Sequence, residues 1–126
     1  MAPSPRLHSI LVVDDDRDTC QNLHDILADL GYHVETANDG HAALELVRKR
    51  PFDVALLDYK MPGMDGLTLY REIKKVRSGT VAIVVTAYAV SDTAEAALQA
   101  GASQVLHKPL DIPNLLTALH EPSNAG

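Results

Sequence analysis

The sequence predicts an α/β domain, a single doubly wound sheet of five parallel strands with five helices. Short apolar runs rich in β-branched residues alternate five times with segments of helical period, which implies right-handed crossovers and a sheet covered on both faces. The 126 residues, 46% of them hydrophobic, fit one domain and leave no room for a second. Polar residues end the strands, so the chemistry of the chain is expected at one edge, outside the carboxyl ends of the strands.

Residues 1–7, with two prolines and a serine, read as a flexible lead-in, residues 8–120 as the domain and residues 121–126 as a tail. Ser9-Ile-Leu-Val-Val13 is too short and too β-branched for a helix, and its continuous apolar character marks a strand buried on both faces. It runs into Asp14-Asp15-Asp16. One helix cap needs one Asp, and three adjacent carboxylates repel one another, so the surplus points to a cation site. Cys20, Leu23, Ile26, Leu27 and Leu30 then recur at helical spacing, with Gly31 as the stop. Residues 32–37 form a short strand. Asn38 is expected to cap a second helix with Ala43, Leu44 and Val47 on its inner face. The basic triplet Arg48-Lys-Arg50 fits that helix's carboxyl end, where the dipole favours cations, better than it fits a nucleic-acid contact.

Val54-Ala-Leu-Leu is the central strand. It delivers Asp58 to the point where a Pro/Gly loop begins, because an ionised Asp within the strand would cost too much in desolvation. Leu69, Ile73 and Val76 give a third helix, closed by Ser78-Gly79. Val81-Ala-Ile-Val-Val85 is another buried strand, followed by Thr86-Ala-Tyr88. Asp92 and Glu95 form a capping box for an Ala-rich helix over 94–100. Residues 103–107 are a less apolar last strand leading to Lys108-Pro109, and Asp111 caps a final helix around Leu115, Leu116 and Leu119.

Seventeen acidic against eleven basic residues, a net charge of -6, argue against binding a phosphate backbone and favour a cation as ligand. The single Cys20 excludes an internal disulfide. With an amino terminus unlike a signal peptide and no apolar run long enough for a membrane span, it points to the reducing cytoplasm. The six histidines, His8, His24, His33, His41, His107 and His120, have no metal-ligand spacing. The strand ends together place Asp14, Asp15 and Asp58, the Thr86 hydroxyl and the Lys108 ammonium along one edge. Each has an ordinary explanation as a turn or cap residue, but those explanations would all have to hold at once.

Leu11-Val-Val-Asp14-Asp15, Leu57-Asp58-Tyr-Lys-Met-Pro-Gly-Met-Asp-Gly66, Thr86-Ala87 and Lys108-Pro109 resemble the motifs of the receiver domain of bacterial two-component response regulators. The resemblance spans nearly the whole chain. It, and not the periodicity, implies a flavodoxin-like fold with strand order 2-1-3-4-5. It implies a phosphoacceptor that takes a phosphoryl group from a sensor histidine kinase or phosphotransfer protein and signals to an output domain or protein absent from this chain. Asp58 would accept the phosphoryl group, and Mg2+ would be held by Asp15 directly, Asp14 through water, Asp58 and the backbone carbonyl of Lys60. Thr86 and Lys108 would contact the phosphoryl oxygens. Such a domain promotes its own phosphorylation and dephosphorylation without being an enzyme in the ordinary sense, and no membrane or direct nucleic-acid contact is expected. A flavodoxin-type cofactor module would want Ser, Thr and Gly where three Asp stand here. An aspartate-nucleophile phosphatase would want two Asp two apart and a cap domain. A degenerate receiver serving only as a docking module is the remaining alternative, against which intact Asp58, Thr86 and Lys108 argue.

Two further features matter, the second of them a departure from the family. Lys60 and Tyr88, two residues beyond Asp58 and Thr86, are long enough to shield the phosphoryl group from water. Receivers usually carry an aromatic residue three positions before the last-strand Lys; here it is Val105, whose stiff χ1 leaves no ring to swing inward.

Overall fold

The computed structural model describes residues 9–61, 63–86, 104–108 and 110–120, without the side chains of Gln104 and His120. The helix expected over 94–100, its capping box and Tyr88 lie outside the described residues, as do the lead-in and the tail.

Five strands, β1 (Ser9–Val13), β2 (His33–Ala37), β3 (Val54–Asp58), β4 (Val81–Thr86) and β5 (Gln104–His107), form one parallel sheet in the order β2-β1-β3-β4-β5. Four described helices accompany them: α1 (Arg17–Asp29), α2 (Gly40–Lys49), α3 (Gly66–Val76) and α4 (Ile112–His120). The central strands are apolar throughout because each face meets a different core. Leu11 and Val13 of β1, with Ala55 and Leu57 of β3, pack under α2 and α3; Ile10 and Val12, with Val54 and Leu56, pack under α1 and α4. Alternate side chains point to opposite faces, so continuous apolar runs are what two covered faces require. β5 is an edge strand, and its Val105 and Leu106 are only half buried.

The register sets the functional edge. Val13 lies opposite both Ala37 and Leu57, Asp58 opposite Val85, and Thr86 opposite His107. Parallel strands share one direction, so Asp14, Asp58, Thr86 and Lys108 emerge side by side. No helix among the described residues is long and apolar enough to cross a membrane.

Two expectations about the helices change. Asn38 does not cap α2; Asp39 does, accepting from the Ala42 N–H at 2.7 Å. An amide that reaches a neighbouring strand end leaves the cap to the carboxylate beside it. Ile26, Leu30 and Val76, read from their spacing as part of apolar helix faces, are exposed. They lie at the margins of those faces, and Leu30 has already left α1 as its C-cap. Beyond it the Gly31 N–H donates to the Ala28 carbonyl and the Tyr32 N–H to that of Leu27. Gly31 turns the chain at φ 102, a conformation that costs a side-chain-bearing residue more.

Candidate functional site

The three consecutive Asp after β1 divide their work. Asp16 caps α1, accepting from the Asp18 N–H at 3.1 Å and the Thr19 hydroxyl at 2.7 Å, bonds that hold its carboxyl below the usual range. Asp14 and Asp15 remain, and with Asp58 they bring carboxylate oxygens within 4.8 Å of one another. Asp14 and Asp58 are buried and Asp15 is exposed, so the cluster opens to solvent on one side. Hard oxygen donors in that arrangement fit a divalent cation of the calcium and magnesium class.

Lys108 offsets part of this charge. Its Nζ lies 2.9 Å from Asp14 Oδ2 and 3.3 Å from Asp58 Oδ1. Burial acts to lower the Lys108 pKa, but the hydrogen bond to Asp14 and the two carboxylate charges raise it above the ordinary lysine value. One ammonium cannot neutralise three carboxylates. Burial first, then the charge of Asp14, push Asp58 up to about 6 against the pull of Lys108. The Lys108 N–H also donates to the Thr86 carbonyl at 2.7 Å, which ties the ends of β4 and β5 together. Thr86 is fully buried at the end of β4, one residue past the partner of Asp58.

The backbone around Asp58 is held closely. The Tyr59 N–H donates to the Val85 carbonyl and the Gly66 N–H to the Tyr59 carbonyl, each at 2.8 Å. A Cβ at position 66 would sit 2.6 Å from the Asp58 carbonyl oxygen, so only glycine lets α3 begin this close to β3. Asp65 caps α3 by accepting from the Thr68 N–H at 2.8 Å, and Gly63, at φ 86, makes the turn before it. Lys60 is exposed and lines a shallow cleft with Tyr59, Met61, Gly63 and Asp65. Val105, like Tyr59, packs against the buried pair Leu67 and Val84.

Asp14, Asp15, Asp58 and Lys108 are thus brought together by measured distances, and Thr86 and Lys60 stand at the same edge by register and chain position. Sequence reasoning missed Gly66 as the residue that permits this packing, although its place after Asp65 at the start of a helix was a signal. It also missed Asn38 and Cys20. The Asn38 Nδ2 donates to the Asp14 carbonyl at 3.0 Å, and the Cys20 thiol donates to the same oxygen at 3.3 Å. Burial and the nearby Asp14 charge push the thiol up to about 11, so it keeps its proton at neutral pH.

Known proteins share this fold and much of this sequence. Residues 10–120 match the family model of the response regulator receiver domain. Over 112 residues the chain is 45% identical to the transcriptional regulatory protein ZraR of Escherichia coli O157:H7, covering 89% of this chain but only 25% of that relative's length. A CheY-like response regulator receiver domain protein from Methanospirillum hungatei superposes with a TM-score of 0.84 at 35% identity, covering 95% of this chain and 99% of that one. A response regulator from Burkholderia pseudomallei, whose structure holds a phosphorylated aspartic acid, a calcium ion and citrate, gives a TM-score of 0.84 at 29% identity over 93% of this chain and 69% of that one. With a family match across all five strands and an acidic cluster at their carboxyl edge, this chain belongs to the response regulator receiver domain family.

Proposed function

We propose that this domain accepts a phosphoryl group on Asp58, with Mg2+, from a sensor histidine kinase or phosphotransfer protein, and passes the change to an output domain or protein outside the chain. Residues 8–120 form the working unit. One observation carries the reading: three carboxylates converge within 4.8 Å while Lys108, the lysine paired with them among the described residues, bridges two of them. Such a site is under-neutralised by itself and suited to a cation. The phosphorylated aspartate and calcium ion of the Burkholderia relative support the same chemistry.

Magnesium, when bound, supplies the positive charge that offsets repulsion between the carboxylates and an incoming phosphoryl group. Asp15, exposed, would hold the ion directly; Asp14, whose Oδ1 accepts from the Asp16 N–H and Oδ2 from Lys108, would act through water, and Asp58 and the Lys60 carbonyl would complete the protein's share of the ligands. Asp58 titrates near 6, so its carboxylate is ionised and nucleophilic at neutral pH. An Asp58 oxygen attacks phosphorus, the bond from phosphorus to the donor's imidazole nitrogen breaks with its electron pair leaving on nitrogen, and an acyl phosphate remains. Lys108 and the Thr86 hydroxyl turn to the new phosphoryl oxygens, drawing β4 and β5 through the backbone bond between them. With Val105 in place of an aromatic ring, the response does not travel by a ring swing in β5.

The test is the intact mass after incubation with a small phosphodonor. One added phosphate is expected in magnesium, and none in chelator or in Asp58→Asn. An addition that survives either change would defeat the reading.

A further inference from the structure

We propose that Asn38 is a positioning residue for the divalent-cation site, its side-chain amide fixing the peptide from which the Asp14 and Asp15 carboxylates project. This rests on the reading above that those carboxylates hold a cation, and adds to it a residue that follows a different strand.

Asn38 follows β2 and is 24 residues from Asp14. Its Nδ2 donates to the Asp14 carbonyl at 3.0 Å and lies 3.5 Å from the Cys20 Sγ, which itself donates to that oxygen at 3.3 Å. On the other side the Asp14 N–H donates to the Ala37 carbonyl at 3.1 Å. The end of β2 therefore grips both polar groups of the Asp14 backbone. The Asp14 carbonyl and the Asp15 N–H belong to one planar peptide, so two donors on that oxygen set the rotation of the plane and with it the direction of the Asp15 Cα–Cβ bond. The Asp14 side chain has holds of its own, Asp16 and Lys108. Asp15 is exposed, so its aim depends on the peptide that carries it.

The residue type fits the task. A neutral amide donates without cancelling the negative charge a cation needs, whereas Asp at position 38 would set acceptor against acceptor. The thiol is a weak donor, so the amide is the stronger of the two restraints. Groups that orient metal ligands without touching the metal typically change affinity by about 10- to 100-fold when removed.

The whole chain is titrated with magnesium alone, without a phosphodonor, by calorimetry. The parent is compared with Asn38→Leu, which keeps volume and loses the donor, and with Cys20→Ala, which strips the weak donor and opens a small void beside β1. Unfolding midpoints of all three are taken in chelator. We expect about tenfold weaker magnesium binding in Asn38→Leu, and a smaller loss in Cys20→Ala even where its stability falls as far or further. Parental affinity in Asn38→Leu overturns the proposal, as does a loss in the two variants that simply follows their loss of stability. Asn38→Ala is read in the same way if the leucine variant does not fold. If the parent itself shows no saturable magnesium binding, the cation reading fails and this inference falls with it.

Discussion

The two edges of the sheet carry similar residue types and use them in opposite ways. At the amino edge polar groups close on one another: Asp53 Oδ2 accepts from the Ser9 N–H at 3.1 Å and the Ser9 hydroxyl at 3.3 Å, and that hydroxyl accepts from the Asp53 N–H. Nearby, the buried Thr80 hydroxyl donates to the Phe52 carbonyl at 2.9 Å, and Arg77 Nε donates to the Val47 carbonyl at 3.0 Å, satisfying the carboxyl end of α2. At the carboxyl edge Asp14, Asp15 and Asp58 face one lysine, and Asp58 is pushed up to about 6. One edge satisfies its charges and holds the fold. The other leaves an excess that a ligand can relieve, so the site sits where the fold is least at rest.

The sharpest way to break this comparison is to neutralise Asp58. Its pKa is raised from 3.8 to about 6 on folding. Below both values Asp58 is protonated in either state and costs nothing; as pH rises from 3.8 towards 6 the unfolded chain releases the proton first, so stability falls and stays lower above 6. Without metal, Asp58→Asn should therefore be more stable than the parent by about 3 kcal/mol at pH 7.5, with the gain falling to about 0.5 kcal/mol near pH 4. Urea unfolding in chelator at the two pH values checks it. An equal gain at both would mean that charge is not the cause.

At the opposite edge the sign should reverse. Asp53→Ala leaves the half-buried Ser9 groups without their acceptor and should cost about 1 kcal/mol. It should leave magnesium affinity at the parental value, because β1 and β3 lie between the edges; a change in affinity would show that the edges are coupled. The smallest effect is expected from Arg77→Met, which keeps the apolar stem and removes the donors to the Val47 and Arg48 carbonyls. A loss of about 0.5 kcal/mol is expected, read from the same denaturation curves.

Much of this was legible in the sequence because it is local. Four-residue apolar runs, helical spacing and Asp at the end of a strand are properties of neighbours in the chain, and they located all five strands and the residues at the functional edge. The strand order came from the resemblance to receivers, which the topology bears out. What neighbours could not reveal was decided between elements. Asn38 looked like a cap, since its spacing before α2 suits one; only the packing of β2 against β1 brings its amide to the Asp14 carbonyl and leaves the cap to Asp39. Ile26 and Val76 have apolar spacing, but the folded chain leaves them exposed. Gly66 is one glycine among seven until the approach of α3 to the Asp58 carbonyl makes it irreplaceable. Lys108 could have paired with any of three carboxylates, and it bridges Asp14 and Asp58 because parallel register carries β1, β3 and β5 to one edge. Period and composition act over a few residues, whereas register and helix approach are set by burying both faces of the sheet at once, and only the folded chain resolves them.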